Sequence, residues 1–361
     1  MRKGIVDQAS VTRAERSTGQ RVVVGLDVHK RSIVAAIRVN GREVKHCTMP
    51  ADAQAVVRTL EPYRAGMQMV VYEAGLTGYG LARALQGAGM PAVVVAPNRT
   101  PRCSTVQNKS DRLDCRNLAL FAEKGGLLKA VAIPTQQEEQ DRQLIRTRQQ
   151  LMDERRRVKQ HIKSLLTCHG IAEPPGLAHW SCAAVQALRS MKLSRSLRVC
   201  LDVALRSLQH FNQELDRLGK EIARVSGLAR HRRGMWLLRS HPGVGSTTAS
   251  TFLLEVYRPE RFANEKQVAA YVGLAPRVRQ SGETRHGGPL VRAGRGHLRA
   301  MLVEASWTWI RLDGQARAVY RHLVYTTGNA GKAIVAMARR LAIRLWRMLT
   351  RREPCRIACP A

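Results

Sequence analysis

Hydrophobic positions along this chain follow three different rhythms. From Val22 to Val95 they come in short runs broken by turn residues. Val22–Val28, Ser32–Val39 and Glu43–Met49 predict three strands, and Asn40-Gly41 is a hairpin signal between the last two. Ala51–Leu60 predicts a helix, Gln68–Tyr72 a strand and Thr77–Gly87 a second helix, closed by Gly87 and Gly89. Ala92–Val95 is wholly apolar, as a buried strand would be. Ser110 is placed to cap a third helix, Asp111–Glu123.

The second rhythm is helical. Leu144, Leu151, Val158 and Leu165 recur every seventh residue, as do Leu201, Leu208, Leu215 and Ile222. Ala204, Phe211, Leu218 and Val225 interleave with the latter set. Pro174-Pro175-Gly176 breaks the two stretches apart, which predicts an antiparallel coiled-coil hairpin over residues 136–228. Such a pair can assemble two chains or pack within one. A third region, 232–352, predicts helices around His241-Pro242-Gly243-Val244-Gly245 and around a polar, glycine-rich stretch from Arg277 to Gly288. Its last helix, Lys332–Arg352, places Ile334, Met337, Leu341, Leu345 and Met348 on one face and arginines on the other.

The expected fold class is therefore α/β plus α. Three meander strands, then helix, strand, helix, strand, helix, is the layout of a ribonuclease H-like (RuvC-like) domain at 21–130; ordinary doubly wound folds lack the opening meander. A helical hairpin and a mainly helical C-terminal domain follow. Residues 1–20 are expected to be a disordered leader and 353–361 a tail.

Charge sharpens this picture. The 361 residues carry 60 Lys+Arg against 27 Asp+Glu, a formal net charge of +33. That surplus calls for a polyanion, nucleic acid or an anionic membrane surface. No apolar run of ~18 residues is present, so no membrane span is expected. Met1–Gly19 lacks the apolar core of a signal peptide, which predicts a cytoplasmic protein. Aromatic residues are only 4%, so stacking on exposed rings is not the expected primary binding mode. The eight cysteines form no Cys-x-x-Cys pair, which favours free thiols over zinc.

Against this basic background four acids stand out. Asp27 ends the first apolar run and Glu73 ends the fourth strand. Asp111 and Asp114 share one helix face by their i, i+3 spacing. Hard carboxylate oxygens suit Mg²⁺, and a pair of ions can clamp a phosphodiester under attack. The plainer alternatives are capping or salt bridging for Asp27 and Glu73, and a helix N-terminus that favours acids for Asp111 and Asp114. Gly243 and Gly245 lie in a Gly-x-Gly turn between helical patterns, a helix-hairpin-helix-like element suited to a phosphate. Lys109, Arg277, Arg279, Arg285, Arg292, Arg295 and Arg299 are candidate phosphate contacts or simply solvated charges.

Taken in order, Gly25-Leu26-Asp27-Val28-His29-Lys30, Tyr72-Glu73-Ala74, Thr77-Gly78-Tyr79-Gly80, Ala96-Pro97-Asn98 and Lys109-Ser110-Asp111-Arg112-Leu113-Asp114 resemble the DEDD transposases of insertion sequence family 110. Pro242-Gly243-Val244-Gly245, Tyr271-Val272-Gly273-Leu274-Ala275-Pro276, Gln280-Ser281-Gly282 and Arg295-Gly296-His297-Leu298-Arg299 resemble that family's C-terminal domain. The resemblance implies a site-specific recombinase acting on double-stranded donor and target DNA, guided by a structured non-coding bridge RNA. It implies magnesium, two ions, held by Asp27, Glu73, Asp111 and Asp114. It also implies a nucleophilic serine that holds DNA as a phosphoserine, with the acids of one protomer facing the serine of another. That serine falls on Ser281, with Ser246 and Ser306 as rivals. The family usually continues Ser-Gly-Gly-Lys, whereas here Ser281-Gly282-Glu283-Thr284 loses a glycine and gains an acid. The heptads suggest a dimer and the resemblance a larger synaptic tetramer, in a bacterial, nucleoid-associated protein. The rival functions are a hydrolytic ribonuclease H-like nuclease or junction resolvase, which leaves no covalent intermediate, and a non-catalytic nucleic-acid binder.

Overall fold

The computed structural model describes residues 20–96, 111–125, 130–281, 284–290 and 294–355, with the side chains of 111–113, 277–287 and 289 outside the description. The expected leader, Lys109 and Arg292 lie outside the described residues. The chain divides into two compact units, Met1–Pro134 and Thr135–Ala361.

The first unit is built on a five-stranded mixed sheet. Strands β1 (Val22–Val28), β2 (Ser32–Val39) and β3 (Arg42–Pro50) form the antiparallel meander, while β4 (Met67–Glu73) and β5 (Ala92–Val95) run parallel to β1. The order across the sheet is β3-β2-β1-β4-β5. Asn40 and Gly41 both take positive φ (49° and 87°) between β2 and β3, as a tight hairpin turn requires. Alternate side chains project to opposite faces. Val22, Val24, Leu26, Val70, Tyr72 and Val94 form the core on one face, with Val56 and Leu60 of α1 (Ala53–Leu60) and Ala82 and Leu85 of α2 (Gly80–Gly87). Helix α1 starts two residues later than the apolar pattern suggests, because Asp52 caps it by accepting from the Ala55 N–H at 2.9 Å. Helix α2 starts at Gly80, after a turn with Gly78 at φ 68°. The buried Tyr72 hydroxyl accepts from the Ala82 N–H at 3.1 Å and ties β4 to α2.

The opposite face is covered by α3 (Asp111–Glu123). Gly25 makes this close approach possible: a Cβ there would lie 2.0 Å from the Cys115 carbonyl oxygen and 2.8 Å from the Ala119 nitrogen. Arg116 pairs with Glu43 of β3 at 2.7 Å. Glu123 accepts from Arg38 at 2.7 Å and from the Gly41 N–H at 2.8 Å. Together these fix α3 in azimuth and along its length.

The second unit is mostly helical. Helices α4 (Gln136–Cys168) and α6 (Arg195–Ser226) pack antiparallel, since Ile145 meets Ile222, Arg155 reaches Asn212, and Ile162 and Leu166 meet Leu201 and Leu205. A short helix α5 (Cys182–Ser190), capped by Ser181, lies in the connection. On α6 the predicted Leu201, Leu208, Leu215 and Ile222 are all buried. On α4 the stripe differs: Leu144, Leu151, Val158 and Leu165 are half-buried, and Ile145, Ile162 and Leu166 are the buried apolar residues. A seven-residue count finds the face of a long helix but not which of two adjacent positions points inward.

Helices α7 (Ala229–Arg239), α8 (Ser246–Val256), α9 (Glu265–Tyr271), α10 (Gly296–Leu312), α11 (Gly314–Thr327) and α12 (Ala330–Arg351) share one core. Ile334, Met337, Leu341, Leu345 and Met348 of α12 are buried in it, as their spacing predicts. The arginine-rich stretch after Pro276 forms a two-stranded hairpin, β6 (Pro276–Ser281) with β7 (Thr284–Leu290). Among the described residues no helix is long and apolar enough to cross a membrane.

Candidate functional site

The carboxylate site follows from strand parity. Gly25 faces α3, so Asp27, two residues on, projects to the same face. Strands β1 and β4 are parallel and in register up to Leu26↔Tyr72, which makes Asp27 and Glu73 the next residues on neighbouring strands. Tyr72 points into the opposite core, and Glu73 therefore shares the face of Asp27. Helix α3 begins at Asp111 and carries Asp114 in its first turn, exposed, one residue before the buried Cys115. Two strand ends and the start of one helix thus lie on one face of the sheet. The side chain of Asp111 is outside the described residues.

Asp27 is 21% exposed and takes His29 Nε2 at 3.2 Å from Oδ2. The Cys115 thiol, held 3.6 Å from His46 Nε2, is pushed up to about 11 by burial and then by the Asp27 charge. Cys115 is therefore an inert thiol beneath the acids. His29 and Gly25 are the residues whose part here the sequence understated. A glycine inside a strand, two positions before an acid, was the available signal.

Carboxylates are the right donors for a hard divalent cation. Among the described residues, no group of three or more His, Cys, Asp and Glu side chains is placed to hold a metal ion. The donor chemistry of Asp27, Glu73 and Asp114 suits such an ion, but these three described side chains do not by themselves close around one.

In the second unit, Gly243 (φ 83°) sits in the turn between α7 and α8. A Cβ there would meet the Trp309 nitrogen at 2.6 Å and the Ala305 carbonyl oxygen at 2.7 Å, so the turn rests directly on α10. His241 is 1% exposed, edge-to-face with Trp309 at 4.9 Å, and its Nδ1 donates to the Pro242 carbonyl oxygen at 2.8 Å. Burial pulls its pKa down to about 4. Helix α8 starts after Gly245 without a side-chain cap, which leaves its first-turn N–H groups open to a ligand.

The remaining candidates are spread out. Ser281 ends β6 opposite Thr284, and Arg279 pairs in register with His286. The side chains of Ser281, Arg277, Arg279 and Arg285 are outside the described residues. Arg295 lies 3.6 Å from the buried Glu255, and Arg299 donates to the Gly273 carbonyl oxygen at 3.3 Å. Both therefore make contacts within the fold. Of the rival serines, Ser306 is fully buried with its hydroxyl donating to the Leu302 carbonyl oxygen at 2.7 Å, whereas Ser246 is exposed at the start of α8.

Residues 24–170 match a DEDD transposase model of the IS110 group, and residues 235–321 match the transposase IS116/IS110/IS902 family. A putative transposase of Sinorhizobium fredii is 30% identical over 79% of this chain and 71% of its own length. The chain belongs to the IS110 family of transposases. The transposase for insertion sequence element IS1533 of Leptospira borgpetersenii is 24% identical over 93% of this chain and 98% of its own. The transposase for insertion sequence element IS1111A of Coxiella burnetii is 24% identical over 76% of this chain and 75% of its own. This IS110 transposase is thus a DNA-acting enzyme of insertion-sequence transposition. The DEDD model spans Asp27, Glu73, Asp111 and Asp114, and the second model spans the Gly243–Gly245 turn and Ser281. DEDD transposases work with a divalent metal, in keeping with the carboxylate donors placed here.

Proposed function

We propose that this transposase cuts and rejoins element-end and target DNA with two sets of groups, the four acids of a ribonuclease H-like domain at 21–130 and a serine in the domain at 232–352. The coiled-coil hairpin at 136–228 assembles protomers into a dimer and then a synaptic tetramer. A structured bridge RNA selects donor and target, and the enzyme works on the bacterial nucleoid in the cytoplasm. The observation that carries the acid half is the placement of Asp27 and Glu73 at the ends of neighbouring strands, on the face that α3 covers. The meander-first strand order supports the domain assignment.

Asp27, Glu73, Asp111 and Asp114 would hold Mg²⁺, two ions, which when bound stabilises negative charge on the phosphate under attack. His29 orients the Asp27 carboxylate from 3.2 Å. The Ser281 hydroxyl oxygen attacks phosphorus and loses its proton to a base, and the sugar oxygen leaves with the bonding electrons. The phosphoserine formed keeps the phosphodiester energy, so the reverse attack by a sugar hydroxyl rejoins strands without a nucleotide cofactor. The sequence contains no P-loop pattern, in keeping with that. Arg277, Arg279, Arg285 and Lys109 neutralise the phosphates around the break.

The test is a cleavage assay with Mg²⁺, labelled element-end DNA and the flanking non-coding RNA, read on a denaturing gel. Wild-type protein should leave a protein–DNA adduct that Ser281→Ala does not form, and Asp27→Ala should cut nothing. Free nicked DNA from both wild type and Ser281→Ala would make the enzyme hydrolytic, as a junction resolvase is. Cleavage by Asp27→Ala at the wild-type rate would remove the acids from the chemistry.

A further inference from the structure

Helices α6, α7 and α8, with one edge of α4, enclose an open cleft of about 1160 Å³ in the second unit. This exceeds the ~300–1,000 Å³ of ordinary small-molecule pockets. Four cations line it: Arg148, Lys220, Arg232 and Arg239. None of the four side chains makes a hydrogen bond or ion pair to another described residue, and Asp216 is the single acid on the lining. Such unspent charge contrasts with the arginines elsewhere in this unit, where Arg230, Arg258 and Arg146 are paired with Asp141, Glu138 and Glu255.

The uncapped start of α8 opens onto the same cleft through Ser246 and Thr247. Its first-turn N–H groups lack intrahelical acceptors and carry the positive end of the helix dipole. Ser226 lines the cleft as well. It is 4% exposed, and its Oγ has no hydrogen-bond partner among the described residues, which leaves a buried hydroxyl needing a ligand atom. Trp236 on α7 completes the lining and is 60% exposed, unusual for the largest apolar residue in a chain with few aromatics.

Cations, open helix N–H groups, an unpartnered hydroxyl and an exposed flat ring together recognise one chemistry, an unpaired nucleotide. We infer that this cleft binds an unstacked nucleotide segment, with its phosphates on the α8 N-terminus and the guanidiniums of Arg232 and Arg239 and a base on Trp236. Stacking on one ring is sequence-tolerant and needs a single strand or an extruded base. DNA and RNA share this chemistry. The inference rests on the chain acting on nucleic acid but not on the acids or on Ser281, so the site is tested in the Asp27→Ala protein.

The measurement is fluorescence anisotropy with full-length Asp27→Ala protein and dye-labelled single strands about 12 nucleotides long, in DNA and RNA arms. Trp236→Ala should weaken binding about 5- to 100-fold, and Trp236→Phe should retain most of the affinity. Arg239→Gln and Arg232→Gln should each lower the slope of log affinity against log salt by about 1. A loss confined to one arm names the source of the segment. All three residues are exposed, so the variants should melt like the parent. Unchanged affinity and salt slope in both arms would overturn the inference. A change in sedimentation of Trp236→Ala with no change in affinity would also overturn it, making the cleft a contact between copies. Should Asp27→Ala still cut DNA, the metal chemistry fails while this binding result stands.

Discussion

Gly25 and Gly243 do the same physical job in the two units and have opposite consequences for the groups beside them. Each lets backbone touch backbone where a Cβ would collide, with the Cys115 carbonyl in one case and the Trp309 nitrogen in the other. Gly25 sits in an extended strand, and the helix it admits brings Asp111 and Asp114 to the face where Asp27 and Glu73 end their strands. Gly243 sits in a turn at φ 83°, and the approach it permits sinks His241 beneath α10. The first glycine lets a helix lie on the face where two acids end their strands. The second packs a turn, and only the start of α8 beyond it remains open to a ligand. A glycine in a motif therefore signals close approach; what approaches decides whether the motif is chemical or architectural.

The sharpest separation of the units is catalytic. Glu73→Gln keeps the shape and removes the charge, and strand cleavage should fall by about 10²–10³-fold or more while the melting temperature hardly moves. Equal cleavage by this variant would leave the first unit's acids as structural groups. Gly25→Val should act through placement instead. The collision with α3 should cost about 3 kcal/mol, read by urea denaturation, and abolish cleavage although all four acids are intact. A variant that is stable and active would mean that α3 is not needed where it lies.

His241 tests the second unit. Its folded pKa, held near 4 by burial, lies below the ordinary value of 6.5, so the unfolded chain binds the proton first on acidification. Its contribution is present above pH 6.5 and is lost as pH falls toward 4, about 3 kcal/mol at most. Denaturation against pH should show that loss, and His241→Phe should flatten it; an unchanged slope would place the pH dependence elsewhere. The smallest effect is expected at Glu123. Glu123→Ala removes the bonds from Arg38 and the Gly41 N–H and should cost about 1–2 kcal/mol in the first unit, leaving the cleft's binding of single strands unchanged.

The element map of the first unit was legible because each signal was local. Val22–Val28 and Ser32–Val39 form strands over the predicted residues, and Asn40-Gly41 forms the turn between them. Helix starts were less legible, since Asp52 could as well have been an interior residue until its side chain met the Ala55 N–H. The β6–β7 hairpin was missed for a clear reason. Its sequence is rich in Arg and Gly and lacks the alternation of a half-buried strand. Arg295 and Arg299 showed as phosphate contacts from charge alone, whereas their partners, Glu255 and the Gly273 carbonyl, are distant in sequence or carry no side-chain signal. The cleft lined by Ser226, Trp236 and Arg239 had no sequence signature at all, because its lining comes from four helices.

By itself the sequence determined the elements of the first unit, the family and the identities of the candidate acids, since these depend on periodicity, turn chemistry and ordered motifs within short windows. Tertiary structure decided which face each element turns inward. It set Asp27 beside Glu73 through parallel register, laid α3 on Gly25, buried Ser306 and His241, and left Arg148, Arg232 and Arg239 around an open cleft with no ion pair among the described residues. The reason is one of range: hydrogen-bond periodicity acts over a few residues, whereas burial, close backbone approach and charge pairing act between groups that only folding brings together.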